Sequence, residues 1–115
     1  MALSKRALDG NVETFLLSIL KEGPNYGYGL VQALNERAPG LVDFGEGTVY
    51  PVLHRMEAKG LLETSWSEAQ SGRRRKYYRI SNKGHGVLSR NLEEWRSLIS
   101  VMERITGQST HALSL

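Results

Sequence analysis

Six basic residues lie in one short window of the sequence, where they could bind phosphate groups. The window runs from position 71 to position 83, contains no acidic residue, and holds Arg73, Arg74, Arg75, Lys76, Arg79 and Lys83. It carries a charge of +6 in a chain whose net charge is +3, so the rest of the chain is net acidic. Positive charge concentrated in this way commonly meets nucleic-acid phosphates, and counterion release then drives binding. A solvated surface loop is the alternative interpretation.

A second group of polar residues occurs at helical spacing between positions 48 and 59. The apolar positions of this segment share one face and are Val49, Val52, Leu53 and Met56. The polar side is formed by Thr48, Tyr50, Pro51, His54, Arg55 and Lys59. A helix that enters the major groove needs this division, with Arg55 suited to bidentate contact with guanine. Thr48, Tyr50 and Lys59 are placed for phosphates, and His54 for a base edge or the backbone.

The sequence argues against catalysis. It contains no cysteine, and its three histidines, at positions 54, 85 and 111, show no metal-ligand spacing. Gly27-Tyr28-Gly29 lacks the third glycine of a nucleotide-binding fingerprint, and no strand is predicted before it. We therefore expect no enzyme activity, no metal and no cofactor. The longest apolar run, 15–20, is too short to cross a bilayer, which favours a cytoplasmic protein without a membrane partner.

Three helices, over 9–22, 26–37 and 48–59, are predicted to position these groups. Asn11 or Asp9 can cap the first helix and Asn25 the second. Thr48 as the cap of the third places Pro51 in the first turn, where its missing N–H is tolerated. Gly27 and Gly29 weaken the second helix, which a close approach by a neighbouring element would explain.

Two alternating segments predict strands after the third helix. Leu62, Thr64 and Trp66 alternate with polar residues in a half-buried strand, and a second strand runs over 75–80. The polar segment 68–74 between them predicts a long hairpin tip, where Gly72 allows the turn. Tyr77 and Tyr78 face opposite sides, so one belongs to the core and the other flanks the phosphates. The fold class is thus mainly α with a β-hairpin wing (α+β), a winged helix-turn-helix.

The last predicted helix, 82–106, is capped by Ser81 and is about 37 Å long at 1.5 Å per residue. Its apolar residues have the spacing of a coiled coil: Leu88, Leu92, Trp95, Ile99 and Met102. This stripe predicts dimerisation with a second copy, although coverage by the first helix of the same chain is the alternative. The predicted organisation is therefore a DNA-binding domain over 1–81, a dimerisation helix over 82–106 and a flexible tail over 107–115.

Three segments in order resemble the PadR family of transcriptional regulators. They are the recognition-helix segment 47–57 followed by Gly60-Leu61-Leu62, the wing segment 72–81, and Tyr26-Gly27-Tyr28-Gly29-Leu30 of the second helix. The family usually has an acidic residue where Gly29 stands and an aliphatic one where Met56 stands.

This resemblance implies a homodimeric repressor that binds a palindromic operator in double-stranded DNA. In the wing itself, Arg73, Arg74, Arg75 and Lys76 can reach along the DNA backbone or into a minor groove, with Tyr77 beside them. The short chain is similar to a subfamily in which planar aromatic effectors stack on a tryptophan between the C-terminal helices, and Trp95 stands at that place. The alternative is a winged-helix interaction module that binds protein or RNA without reading DNA sequence.

Overall fold

A computed structural model describes residues 2–68 and 72–110. Within these residues the helices are α1 (Lys5–Leu8), α2 (Val12–Leu20), α3 (Gly27–Arg37), α4 (Glu46–Ala58) and α5 (Asn82–Thr106). The strands are β1 (Asn25–Tyr26), β2 (Leu62–Glu68) and β3 (Arg74–Ile80). They form an antiparallel sheet in the order β1-β3-β2. The predicted α+β winged helix-turn-helix is confirmed, with a third strand that was not predicted.

The helix predicted over 9–22 is shorter in the structure, where α2 covers only Val12–Leu20, and the short helix α1 before it was not predicted. Gly10 adopts a φ of +86°, in the left-handed region that favours glycine, and this breaks the chain between α1 and α2. Asn11 does occupy the N-cap position of α2, but its side chain makes no capping bond and its amide donates to the carbonyl of Ala7 instead. The apolar residues of α2 are buried as predicted, so its bounds change while its role in the core does not.

The close approach expected around Gly27 and Gly29 is present. A Cβ atom at Gly27 would lie 2.7 Å from Cε1 of Tyr50, and one at Gly29 would collide with the side chain of Asn25. The prediction that Asn25 caps α3 is wrong. Asn25 lies in β1, and its Oδ1 accepts a hydrogen bond from the amide of Tyr26. The N-cap is Tyr26. Both glycines thus leave room for neighbouring side chains.

Helix α4 begins earlier than predicted, at Glu46, with Gly45 as its N-cap in place of Thr48. Pro51 consequently lies in the second turn, where it cannot donate to the carbonyl of Gly47. Both residues are exposed, so water can satisfy that carbonyl. The connection before α4 is held by Asn35, whose amide donates to the carbonyl of Phe44 at 2.9 Å and whose Oδ1 accepts from the Phe44 amide at 2.7 Å.

The hairpin of β2 and β3 pairs Leu62 with Ile80 at its base and Glu68 with Arg74 at its tip. Only Leu62 of β2 is buried, so the prediction of a half-buried strand is wrong beyond that residue. The outer part of the hairpin projects from the core, which leaves Thr64 and Trp66 exposed. Gly72 has the expected positive φ, +81°, whereas Ser71 of the predicted tip lies outside the described residues.

Helix α5 has the predicted bounds and the predicted cap. Ser81 alone separates it from β3, and the Ser81 hydroxyl donates to the carbonyl of Gly60 at 2.7 Å and accepts from the amide of Gly84 at 3.0 Å. The Ser81 amide donates to the carbonyl of Leu61. The start of α5 is therefore tied to the connection between α4 and the hairpin. The helix ends at Gly107, with φ +74°, and residues 111–115 of the predicted tail lie outside the described residues.

The structure corrects one prediction about α5, which placed Leu88 in the dimerisation stripe. Its side chain is 3% exposed and belongs to the hydrophobic core of its own chain, and Leu92 is partly buried against that core. The first turns of α5 pack on α2, so Leu88 is not available to a second copy. The stripe that a partner could cover therefore lies farther along the helix.

Candidate nucleic-acid interface

The exposed side of α4 carries the polar residues predicted from the sequence. All six are exposed, whereas Val49, Val52, Leu53 and Met56 are buried, which confirms the predicted division of the helix. The six do not form one cluster. Tyr50 and His54 face the hairpin, while Thr48, Pro51, Arg55 and Lys59 face the side of α2.

An aromatic and basic cleft of about 310 Å³ separates α4 from the hairpin. We call it the wing cleft. Its lining includes Tyr28 at the start of α3, Tyr50 and His54 on α4, and Trp66 and Lys76 on the hairpin. A concave surface lined by both cationic and aromatic groups suits a nucleic-acid strand, since cations bind phosphates and rings pack on sugars or bases.

A more polar depression of about 640 Å³ lies on the other side of α4. Thr48, Arg55 and Lys59 line it together with Lys5 of α1. The Lys59 ammonium lies 3.1 Å from a carboxylate oxygen of Glu13 and is thus paired within the chain. Arg55 forms no ion pair with any residue that the structure describes, so its guanidinium can reach an acceptor outside the chain.

Lys76 is occupied by a carboxylate of α4. Its Nζ donates to Oε1 of Glu57 at 2.8 Å, and Oε2 of the same carboxylate accepts from the hydroxyl of Thr64 at 3.2 Å. The bond from Lys76 holds the pKa of Glu57 below its usual value, and Glu57 in turn raises the pKa of Lys76. This network ties both strands of the hairpin to α4 at the base of the wing cleft.

Four of the six basic residues in the 71–83 window form no ion pair within the described chain: Arg73, Arg74, Arg75 and Lys83. Arg79 pairs with Glu63 across the hairpin, and Lys83 donates to the carbonyl of Lys59. The Arg74 guanidinium lies 5.0 Å from the ring centroid of Trp66, and that of Arg75 lies 4.4 Å from the ring of Tyr26. Free positive charge is thus concentrated near the tip.

The tyrosines near the cleft have separate roles. Tyr78 is buried in the core, and Tyr77 is partly buried against Tyr26, with ring centroids 5.7 Å apart. Tyr50 remains at the surface above Gly27, and partial burial raises the pKa of its hydroxyl above the ordinary value of 10.0.

The outer part of α5 exposes an apolar stripe. Trp95 is 55% exposed, Met102 is 54% exposed, and Ile99 between them is partly buried. Leu98 and Ile105 widen the stripe and are also exposed. An apolar face of this extent on a monomer commonly marks an interaction surface.

Sequence reasoning missed two residues of the wing cleft. The sequence places Trp66 in a half-buried strand, whereas in the structure its register opposite Lys76 puts it on the cleft side. Tyr28 was noted only as part of a glycine motif. Among the described residues no group of His, Asp or Glu could hold a metal ion, and no helix is long and apolar enough to cross a membrane.

Comparison with known proteins gives consistent matches. Residues 16–90 match the family model of the transcriptional regulator PadR-like family. A transcriptional regulator from Clostridium thermocellum has 30% identity and a TM-score of 0.81, with 89% of this chain and 96% of that chain covered. A PadR family transcription regulator from Clostridium difficile has 37% identity and a TM-score of 0.75, with 84% and 99% covered. A transcriptional regulator of Mycobacterium tuberculosis is 38% identical over 65 residues, 56% of this chain and 57% of that protein.

Proposed function

The chain belongs to the PadR-like family of transcriptional regulators, and from this premise we propose that it binds a palindromic DNA operator as a homodimer and represses transcription. The observation that carries the proposal is the exposed side of α4 next to the basic hairpin. A recognition helix in the major groove and a wing on the adjacent backbone require this arrangement.

Roles for the individual residues follow from their positions. Arg55, exposed and without an ion pair in the described chain, is the proposed base-reading residue, and His54 and Pro51 lie beside it on the exposed side. Thr48, Tyr50 and Lys59 are proposed to contact phosphates at the groove edges. The wing contacts are assigned to Arg73, Arg74, Arg75, Lys76 and Tyr77, with the first three carrying the free charge.

The dimer is proposed to form through the exposed apolar stripe of α5, with Trp95, Ile99 and Met102 at its centre. A second copy is the occupant that the heptad spacing favours, since two such helices bury their stripes against each other. Trp95 is further proposed to stack on a planar aromatic effector that releases the repressor from DNA. Quenching of Trp95 fluorescence by a panel of planar aromatic compounds, in a Trp66→Phe background, tests the effector site.

Selection from random DNA duplexes at fixed near-physiological salt is the main experiment. We expect enrichment of an inverted repeat with half-sites about one helical turn apart. Retention that depends on salt but enriches no sequence would favour the interaction module, in which the wing binds phosphate without reading bases.

The Arg55→Ala variant, tested in the same selection, separates base reading from general binding. It should lose preference at one position of each half-site, at a cost of about 1–3 kcal/mol for the preferred base. An unchanged preference would remove Arg55 from the base-reading role.

A further inference from the structure

We propose that Trp66, with Arg74 stacked on it, is a DNA-contacting unit of the wing. Its indole would pack on deoxyribose of the strand that passes through the wing cleft, beside the phosphate that Arg74 holds. The proposal rests on the proposed DNA-binding function and extends it to a residue that the sequence had placed in a half-buried strand.

The position of Trp66 follows from the strand register. Trp66 is paired with Lys76, and residues directly opposite in an antiparallel pair share one face of the sheet. Lys76 reaches the Glu57 carboxylate of α4 on that face, so the indole also lies on the side of the recognition helix. Trp66 is therefore directed into the wing cleft, whose lining includes it.

The surface of Trp66 is available to a ligand. The residue is 59% exposed, although tryptophan is highly buried on average. The Arg74 guanidinium lies over part of the indole, 5.0 Å from the ring centroid, at a distance typical of a cation–π contact. An aromatic face held beside a free cation matches the alternation of sugar and phosphate along a nucleic-acid backbone.

The docking geometry accounts for a DNA strand at this place. When α4 occupies a major groove and the wing approaches the adjacent minor groove, the backbone that separates the two grooves passes between them. Tyr50 and Tyr28, which are also exposed, line the opposite wall of the cleft. A single nucleic-acid strand could also pack on these rings, and the test below distinguishes single-strand binding from duplex binding.

Tryptophan fluorescence provides the direct test, because the chain has two tryptophans, Trp66 on the wing and Trp95 on α5. A dye-labelled duplex selected by the wild-type protein reports binding by anisotropy. In the Trp95→Phe variant, we expect saturating unlabelled duplex to reduce the quenching of Trp66 by acrylamide at least twofold relative to the free protein. The Trp66→Phe variant is the matched control, in which the signal of Trp95 should not gain this protection.

The outcomes separate this inference from the proposed function. Binding by anisotropy without protection of Trp66 would overturn the inference and leave the function standing. No binding of any duplex by the wild-type protein would overturn both. Protection by a single-stranded DNA or RNA of the same sequence, without protection by the duplex, would also overturn the inference and assign the cleft to single strands.

Substitution gives a second test in the protein with Trp95 intact. Trp66→Ala should weaken duplex binding about tenfold for all sequences alike, while Trp66→Phe should retain most of the affinity. Because Trp66 lies outside the core, the Tm of both variants should stay close to that of the wild type. Unchanged affinity in Trp66→Ala would overturn the inference.

Discussion

At the scale of single residues, partners within the chain divide the basic window into two groups. Lys76 and Arg79 are paired with Glu57 and Glu63, whereas Arg73 and Arg74 carry no such pair in the described chain. The sequence predicts the positive window but not this division, because the partners of Lys76 and Arg79 lie on other elements. Phosphate binding is therefore expected to depend mainly on the residues near the tip.

The salt dependence of DNA binding tests whether the basic residues without an ion pair are the ones that contact phosphates. Arg73→Gln and Arg74→Gln should each reduce the slope of log K against log salt by about 0.9, since each removes one phosphate contact. Arg79→Gln is the matched control and should leave the slope nearly unchanged, because its charge is already balanced by Glu63. Equal reductions in all three variants would show that Arg79 leaves Glu63 for the DNA.

Glu57 gives the stability of the protein a dependence on acid pH. Lys76 lowers the pKa of Glu57 in the folded state, so the pair stabilises the protein above the ordinary pKa of about 4.5 and stops doing so as the pH falls through the lower folded value. Glu57→Gln should lower the free energy of unfolding by about 0.5–1 kcal/mol at pH 7 and lose less stability than the wild type below pH 5.

Urea unfolding at pH 7 and at pH 3.5 checks this prediction. Glu93→Gln, which removes an exposed carboxylate of α5, serves as the control and should follow the wild type. If Glu57→Gln and the wild type lost stability in parallel below pH 5, the pair with Lys76 would make no net contribution.

At the scale of elements, the long periodic segments could be predicted and the short ones could not. α5 shows its period over 25 residues, and Ser81 before it is a strong cap, so its bounds are correct. β1 has two residues and no period, and it forms only because Asn25 and Tyr26 pair with Tyr78 and Tyr77. The start of α2 was predicted too early because the sequence does not reveal the positive φ of Gly10.

The same limit applies to the candidate site. Spacing alone separated the buried and exposed sides of α4, because Leu53 and Met56 repeat at helical period. It could not place Trp66 in the wing cleft, since an alternating strand does not reveal where it leaves the core. The pairing of Lys59 with Glu13 likewise depends on contacts between distant parts of the chain.

The junction of β3 and α5 leads to a prediction about two glycines. A Cβ at Gly84 would collide with the carbonyl of Leu61 and lie 2.8 Å from Cγ1 of Ile80, whereas a Cβ at Gly86 would meet nothing within 4 Å. Gly84→Ala should therefore destabilise the protein by about 1–3 kcal/mol. Gly86→Ala should stabilise it by about 1 kcal/mol, because alanine favours the helix.

Chemical denaturation of the two variants tests the contrast. The substitution is the same in both, and the positions lie two residues apart on one helix, so intrinsic helix propensity cannot explain opposite signs. A stabilised Gly84→Ala would mean that α5 does not pack closely on the Leu61 carbonyl.

At the scale of the whole molecule, the dominant feature is the length of α5 relative to the winged unit. The molecule is 55 Å in its longest dimension and 24 Å in its shortest, and the exposed apolar stripe lies on the outer part of α5. The core already buries Leu88, so the stripe from Trp95 onward is the surface left for a second copy.

Disruption of that stripe should separate the proposed dimer. Met102→Glu places a charge in the apolar face and should shift the protein to monomer in sedimentation at micromolar concentration, with a large loss of operator affinity. Ser97→Glu, on the other side of the helix, is the control and should remain a dimer. A wild-type protein that sedimented as a monomer would contradict the proposed assembly directly.

The Ser81 junction has a mechanical consequence for such a dimer. Because a single residue, hydrogen-bonded on both sides, joins β3 to α5, the helix is a stiff arm fixed to the DNA-binding unit. Over about 37 Å, a tilt of about 5° moves the end of the arm by about 3 Å, close to the rise of one base pair. In the proposed dimer, such an arm would fix the distance between the two recognition helices, so we expect weaker binding to an operator whose spacer is one base pair longer.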